Sequence, residues 1–282
     1  MKKLFYPAIV LMNKLGFSKK LMLLGLINFI ALSIVISAIY LHDIKQINMT
    51  KKELKGIALV QPILKTIQGL QRHRGLSAGV LGGSTEFLTA LELEAKDLAS
   101  HFKSLDMHLS PALLKTQQWL DIQAAYQQIR QEGLNWRKEE SFLKHIELIA
   151  ALQQAMIDIA DSYQLTLDPN IETNYLILTT IQDMPMALEQ LGQIRAYGTG
   201  ALAKQSFSEQ EHIKLHALML ILVGKFDLLA VNLEKTSRYN QQIRTKLLLA
   251  AENIKSSSDK ITHLVKVDIL AKKFQTEPQV FF

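Results

Sequence analysis

Residues 21–41 read LMLLGLINFIALSIVISAIYL, an apolar run of 21 residues with no charged side chain. As a helix that rises ~1.5 Å per residue, this run is long enough to cross the ~30 Å hydrocarbon core of a bilayer. Five lysines and no acidic residue precede it. Because positively charged flanks stay in the cytoplasm, the run predicts a transmembrane helix, with a cytoplasmic stub at residues 1–20 and a domain outside the cytoplasm at residues 42–282.

A cleaved signal peptide is the alternative interpretation of this region, since it also begins with a basic segment. The apolar core of a signal peptide is normally ~7–15 residues long and ends at a small-x-small cleavage site. The run here is longer, and its last residues, SAIY at 37–40, make a poor site. We therefore predict an uncleaved, single-pass anchor, with the bulk of the chain outside the cytoplasm.

The charge of the chain reflects topology rather than a nucleic-acid partner. The net charge is +6, but five of the basic residues precede the apolar run, so residues 42–282 are nearly neutral. No basic stripe with interleaved aromatic residues occurs in the sequence, which argues against nucleic-acid binding. Cysteine is absent, so disulfides and cysteine-ligated metals are excluded.

The apolar spacing after the anchor is that of helices. One run alternates steps of three and four residues, as the buried seam of a bundle helix does: Leu88, Leu91, Ala95, Leu98, Phe102, Leu105 and Leu109. Together with the low glycine and proline content, this predicts an all-α fold. We expect one transmembrane helix followed by an elongated up-and-down helical bundle.

Turn and capping signals divide this bundle into segments. The predicted helices cover residues up to 81 and then about 85–109, 111–132, 139–165, 171–204 and 209–273. Ser110 before a proline, and Ser208 with Glu211, are helix-start signals, while residues 82–85 and 168–170 read as turns. The last helix has no return helix after it, so we expect a truncated chain whose seam at Leu247, Ile254, Ile261 and Leu264 stays partly exposed.

Two segments near predicted helix ends have similar sequences. The segment LQRHRGLSAGVL at 70–81 aligns without gaps on LGQIRAYGTGAL at 191–202, and leucine, arginine and glycine coincide at matching offsets. Each copy lies near the end of a predicted helix. The match predicts a structural pseudo-repeat in which Arg74 and Arg195 hold equivalent positions.

The first of these segments resembles the opening motif of the nitrate- and nitrite-sensing (NIT) helical domain family. The later stretch from residue 167 to 202, and the tail FQTEPQVFF, resemble related sensor regions of bacterial chemotaxis receptors, diguanylate cyclases and histidine kinases. The resemblance covers roughly residues 45–282. It implies an anchor in a bacterial inner membrane and a periplasmic domain of two stacked four-helix bundles, here with the last helix missing. It also implies a homodimer and a small anionic ligand such as nitrate or nitrite.

The resemblance also implies which residues hold the anion. The family motif falls on Arg74 and Arg195, with Arg72 as an accessory, and a guanidinium fork matches the oxygens of a planar anion. From the residues alone, the same arginines read as helix-end cations that interact with backbone carbonyls. His73 stands where the family pattern tends to have an acidic residue, and no output module follows.

No other motif predicts chemistry. His212 and His216 are four residues apart, but the glutamate of a metalloprotease motif and a third ligand are missing, so we expect surface histidines and no metal. No P-loop, Rossmann fingerprint or nucleophile elbow occurs, so we expect neither an enzyme nor a cofactor. Two alternatives to a nitrate or nitrite receptor remain: a membrane-anchored structural or interaction protein without ligand, and the same sensor with a small organic anion.

Overall fold

The structure is a computed structural model that describes residues 6, 10, 12–83, 85–167, 170–206 and 208–281. Within this part of the chain the regular elements are all helices, so the predicted all-α class is confirmed. The predicted turns at residues 82–85 and 168–170 lie partly outside the described residues, at 84 and at 168–169. The chain divides into two compact units, and the boundary falls between Lys52 and Glu53.

The first helix, α1, runs from Phe17 to Leu81 and contains the whole predicted membrane span. None of its most apolar window is buried. A helix of leucine, isoleucine and phenylalanine whose side chains are exposed in this way is suited to lipid rather than to water. Pro62 lies inside α1, and the Thr66 hydroxyl donates a 2.9 Å hydrogen bond to its carbonyl.

Nine further helices belong to the second unit, as far as the described residues extend. They are α2 Leu88–His108, α3 Pro111–Leu114, α4 Gln117–Glu132, α5 Lys138–Ser162, α6 Ile171–Leu178, α7 Met184–Lys204, α8 Glu209–Tyr239, α9 Arg244–Leu264 and α10 Pro278–Phe281. Single π-helical segments follow α6 at Thr179–Asp183 and α9 at Val265–Leu270. The predicted starts at Ser110 and Ser208 are confirmed, and Ser208 forms a full capping box with Glu211.

Two main hydrophobic cores hold this unit together. The first is formed by α1, α2, α4 and α5, and its best buried side chains include Ile63, Leu98, Ile122 and Leu152. The second is formed by α7, α8, α9 and the π segment after α9, around Leu215, Leu222, Ile194 and Val265. A smaller cluster joins α8 to α9 at Ala230, Leu233, Leu247 and Ala251. By length and composition α8 is also apolar enough to cross a membrane, but 44% of its most apolar window is buried in the structure.

The predicted single helix over 209–273 is wrong, because the chain turns back at Asn240. Asn240 adopts an extended backbone, and its side-chain oxygen accepts hydrogen bonds from the N–H groups of Gln242 and Ile243. An asparagine that bonds to the backbone two or three residues on favours a turn over a continued helix. α9 therefore packs against α8 within the same chain.

The turn also gives the predicted seam on this helix a packing partner within the chain, contrary to expectation, although three of its residues stay partly exposed. Leu247 is 8% exposed, and Ile254, Ile261 and Leu264 pack against the cores around α8. α8 thus contributes packing to this seam that we expected from a missing helix. The predicted helices at 111–132 and 171–204 are likewise interrupted, the first at Thr116, which caps α4, and the second by the π segment before Met184.

Candidate functional site: a buried arginine between helices

The first copy of the pseudo-repeat lies on the last turns of α1, and the second lies on the last turns of α7. Both copies therefore end helices, as predicted. The side chains of Arg74 on α1 and of Glu189 and Gln193 on α7 are buried. We call the group formed by Gln71, Arg74, Phe142, Glu189 and Gln193 the Arg74 cluster.

Arg74 is the largest charged side chain buried in the described part of the chain, with 2% of its surface exposed. Its Nη1 donates to Glu189 Oε1 in an ion pair that joins α1 to α7. The Glu189 side chain is itself only 8% exposed. A guanidinium so deeply buried needs a close counter-charge, because an uncompensated charge in this environment costs several kcal/mol.

Two amides hold the Glu189 carboxylate in place. Gln193 Nε2, one turn further along α7, donates to Oε1 at 2.9 Å, and Gln71 Nε2 on α1 donates to Oε2 at 3.2 Å. Both carboxylate oxygens are thus hydrogen-bonded by side chains from two helices. These donors form a binding site for a carboxylate, and in this structure the carboxylate that they bind is the chain's own Glu189.

The rest of the guanidinium surface is covered as well. The Phe142 ring of α5 lies over the guanidinium, with 5.0 Å from Arg74 Cζ to the ring centroid, within the range of a cation–π contact. On the side of α7, Gly192 lets the guanidinium approach the backbone: a Cβ at that position would lie 2.8 Å from Arg74 Nη2. Phe142 is held in turn by Tyr197, whose ring stands edge-on to it at 5.8 Å.

Arg195 lies close enough to Arg74 for their charges to interact. Burial is the main reason that the pKa of Arg195 is lowered, and the charge of Arg74 lowers it further. On α7, Gly192 lies three residues from Glu189 and three from Arg195, so these two side chains flank the point where Arg74 meets the helix. Arg195 thus lies about one turn of α7 beyond Gly192, where Arg74 meets that helix, and the binding of one ligand by both arginines stays a prediction.

Arg72 is not brought into that region. Two residues on a helix are turned by about 200°, so Arg72 and Arg74 leave α1 on opposite sides. The Arg72 guanidinium makes a bidentate pair with Glu94 of α2, at 2.8 and 3.0 Å, and its side chain is 53% exposed. The hydrogen bond to Glu94 is the main cause of the raised pKa of Arg72.

A pair of neutral histidines adjoins the Arg74 cluster. His145 Nδ1 lies 2.6 Å from the Ser141 carbonyl, which can only accept, so this nitrogen carries the proton and Nε2 is left as an acceptor. His73 Nδ1, 2.9 Å from that Nε2, is then the donor. Burial lowers the pKa of His73 to about 4 and that of His145 to about 3, and the charge of Arg74 adds to the second shift.

Sequence patterns did not predict a role for Glu189, Gln193, Gln71 or Phe142. One signal was present: two arginines that share a site repel each other and require an anion or a carboxylate nearby. Which acidic residue neutralises the arginines depends on the faces that α1 and α7 present to each other. The spacing of residues along the sequence does not show which faces these are. His212 and His216 are not part of the site, and among the described residues no group of three or more histidine, aspartate or glutamate side chains is placed to hold a metal ion.

Comparison with known families assigns the chain to a class. The model of the family described as nitrate and nitrite sensing (NIT) matches residues 65–258, which is more than half of the chain and includes α7 and the last turns of α1. Comparisons with curated proteins and with solved structures found no match.

The chain therefore belongs to the nitrate- and nitrite-sensing (NIT) family. At the level of the family, its function is the sensing of nitrate and nitrite, which is a signalling role rather than a catalytic one. The uncovered apolar helix α1, together with this sensing domain, indicates association with a membrane.

Proposed function

We propose that the chain is the N-terminal sensory part of a bacterial transmembrane receptor. In this proposal a small anion, nitrate or nitrite, binds between α1 and α7 and is held by Arg74 and Arg195. The observation that carries the proposal is the buried, positively charged Arg74 on α1, which lies against α7 within electrostatic range of Arg195. The family match supports the choice of ligand.

The chemistry of the two side chains fits the ligand. Guanidinium groups are planar, keep their charge at every physiological pH and offer paired N–H donors to paired oxygens. In a site removed from water, charge-assisted hydrogen bonds of this kind contribute about 1.5–3 kcal/mol each. Two arginines from different helices would make the position of one helix relative to the other depend on whether the anion is bound.

The membrane topology is part of the proposal. Residues 21–41 would form one uncleaved anchor with the N-terminus in the cytoplasm, because five lysines and no acidic residue precede it. Residues 42–282 would then form the periplasmic sensor, two of which associate as a homodimer. Signal would pass to a cytoplasmic output module as a small shift between packed helices, since bundles have discrete alternative packings.

The test is calorimetric titration of the full chain, in nanodiscs, with nitrate and nitrite. We expect binding by the wild type and its loss in Arg74→Lys and Arg195→Gln, while Arg72→Gln, on the opposite side of α1, serves as the matched control and binds as the wild type does. Far-UV circular dichroism checks that each variant stays helical. Equal binding by all three variants would refute the assignment of the site, and the absence of any heat in the wild type would refute the ligand.

A further inference from the structure

We infer that Glu189 is an internal competitor for the ligand: an incoming anion takes over the donors that now hold the Glu189 carboxylate, and the exchange breaks the ion pair between α1 and α7. This inference rests on the proposed function and specifies how the same site is regulated. It is carried by the Arg74 cluster, in which the chain's own carboxylate occupies the guanidinium.

In the structure as described, Arg74 does not present a vacant surface. Nη1 is bonded to Glu189, Nη2 lies against the backbone at Gly192, and the Phe142 ring covers the face of the guanidinium. With 2% of the side chain exposed, an anion from solution cannot add to these contacts. It reaches Arg74 only by replacing one of them, and Glu189 is the one contact of the same charge as the anion.

The geometry of the carboxylate also defines the ligand class. Glu189 presents a planar group with one negative charge and two oxygens, bonded by Arg74 and Gln193 on one oxygen and by Gln71 on the other. Nitrite and nitrate are planar, carry one charge and have oxygens in the same arrangement, as do formate and acetate. Sulfate is tetrahedral and doubly charged, so it does not reproduce what these donors now hold.

Competition has a cost that sets the affinity of the site. When the anion enters, the Glu189 carboxylate loses its guanidinium partner, and a buried carboxylate must then find other donors or move to water. Part of the favourable energy of anion binding is therefore offset by this displacement. A variant in which residue 189 carries no charge should bind the anion more tightly, because the displaced group is no longer an ion.

The exchange also offers a route for the signal. Arg74 and Gln71 are on α1 and both bond to Glu189 on α7, so these contacts join the two helices directly. The Glu189 carboxylate is covalently part of α7, whereas a free anion is not. When the anion replaces Glu189 as the partner of Arg74, the ion pair between the two helices is lost. The equilibrium between the tied and the exchanged packing would then depend on ligand concentration.

The experiment compares Glu189→Gln with Glu94→Gln in the full chain in nanodiscs. Glu94 is the matched control, because it pairs with an arginine of the same helix, Arg72, outside the cluster. We expect Glu189→Gln to bind nitrate about tenfold or more tightly than the wild type, the range for a hydrogen bond to a charged group, and Glu94→Gln to bind as the wild type does. Sulfate should bind none of the proteins.

A second readout follows the helices. The chain has no cysteine, so spin labels at engineered cysteines replacing Gln68 on α1 and Lys204 on α7 report one distance without background. We expect nitrate to change this distance in the wild type, and Glu189→Gln to show the nitrate-bound distance already without ligand. Equal or weaker nitrate binding by Glu189→Gln, or an unchanged distance, overturns the competitor role.

The outcomes separate this inference from the proposed function. If Arg74→Lys abolishes nitrate binding while Glu189→Gln leaves it unchanged, the anion site stands and the competitor is refuted. If the wild type and Glu189→Gln both fail to bind nitrate and nitrite, the proposed function itself is refuted. Formate or acetate binding in place of nitrate would retain the competitor and change the ligand to an organic anion.

Discussion

Removing the charge of Arg74 should cost far more stability than removing the charge of Arg72, although the two arginines are two residues apart. In Arg74→Met the Glu189 carboxylate is left in a site where it is 8% exposed, without its counter-ion. Breaking one partner of a buried ion pair typically costs 3–5 kcal/mol. Gln71 and Gln193 still donate to the carboxylate, so we expect a value near the lower end, about 3 kcal/mol.

The control value follows from exposure. Arg72 has a side chain that is 53% exposed, so water screens its pair with Glu94, and such surface pairs contribute about 0–1 kcal/mol. Arg72→Met should therefore lower the free energy of unfolding by no more than about 1 kcal/mol. The double variant Arg74→Met/Glu189→Met removes both buried charges and should recover most of the loss, since an apolar pair of similar size is often neutral or stabilising in such a site.

Urea unfolding followed by tryptophan fluorescence measures these differences. Trp119, which is 5% exposed in the first core, is one of only two tryptophans in the chain and reports the loss of that core. The change in midpoint at constant m gives the change in stability. If Arg74→Met and Arg72→Met cost the same, or if the double variant is as unstable as the single one, the buried pair between α1 and α7 is not present in the folded protein.

Three further outcomes are expected from other parts of the chain. Burial lowers the pKa of His73 to about 4 and that of His145 to about 3, so as the pH falls these histidines are protonated in the unfolded chain before they are protonated in the folded protein. The free energy of unfolding should therefore fall as the pH drops from about 6.5 to about 4, and the slope should be shallower in His73→Gln. In thermal unfolding, Gly192→Ala should destabilise the domain, since the new Cβ would lie 2.8 Å from Arg74 Nη2. Gly200→Ala is the control on the same helix: its Cβ would have no neighbour within 4 Å, so this variant should be more stable by up to about 1 kcal/mol. An alkaline phosphatase fusion after position 60 should be active in bacteria and one after position 16 inactive, and the reverse pattern would refute the topology.

The helices could be predicted from the sequence because their signals are local. Residue composition, seam spacing and the capping residues Ser110 and Ser208 all act within one or two turns, and the corresponding helix starts are confirmed. The turn at Asn240 was missed because the seam spacing continues unbroken through Thr236, Asn240 and Ile243. A period of three and four residues describes either one long helix or two helices that pack on each other. The hydrogen bonds that the Asn240 side chain accepts from the backbone distinguish the two in the structure.

The site was predicted less completely than the fold, for a related reason. Arg74 and Arg195 could be selected because they recur at equal offsets in two segments of one sequence. Glu189 has no such marker, since the pairing depends on which face of α7 meets α1. Gly192 is the residue that fixes this choice, because it allows the guanidinium to lie against the helix one turn after Glu189.

A sensor whose ligand is an anion needs a cation in its binding site, and that cation must be tolerated when no ligand is present. A buried guanidinium without a partner would destabilise the unliganded domain by several kcal/mol, which is comparable to the whole stability of many domains. An internal carboxylate removes this difficulty and at the same time gives the empty state its own defined packing. The affinity for the ligand is then set by a difference between two similar interactions, so a small change at Glu189 or Gln193 moves the working concentration of the sensor without altering Arg74 itself.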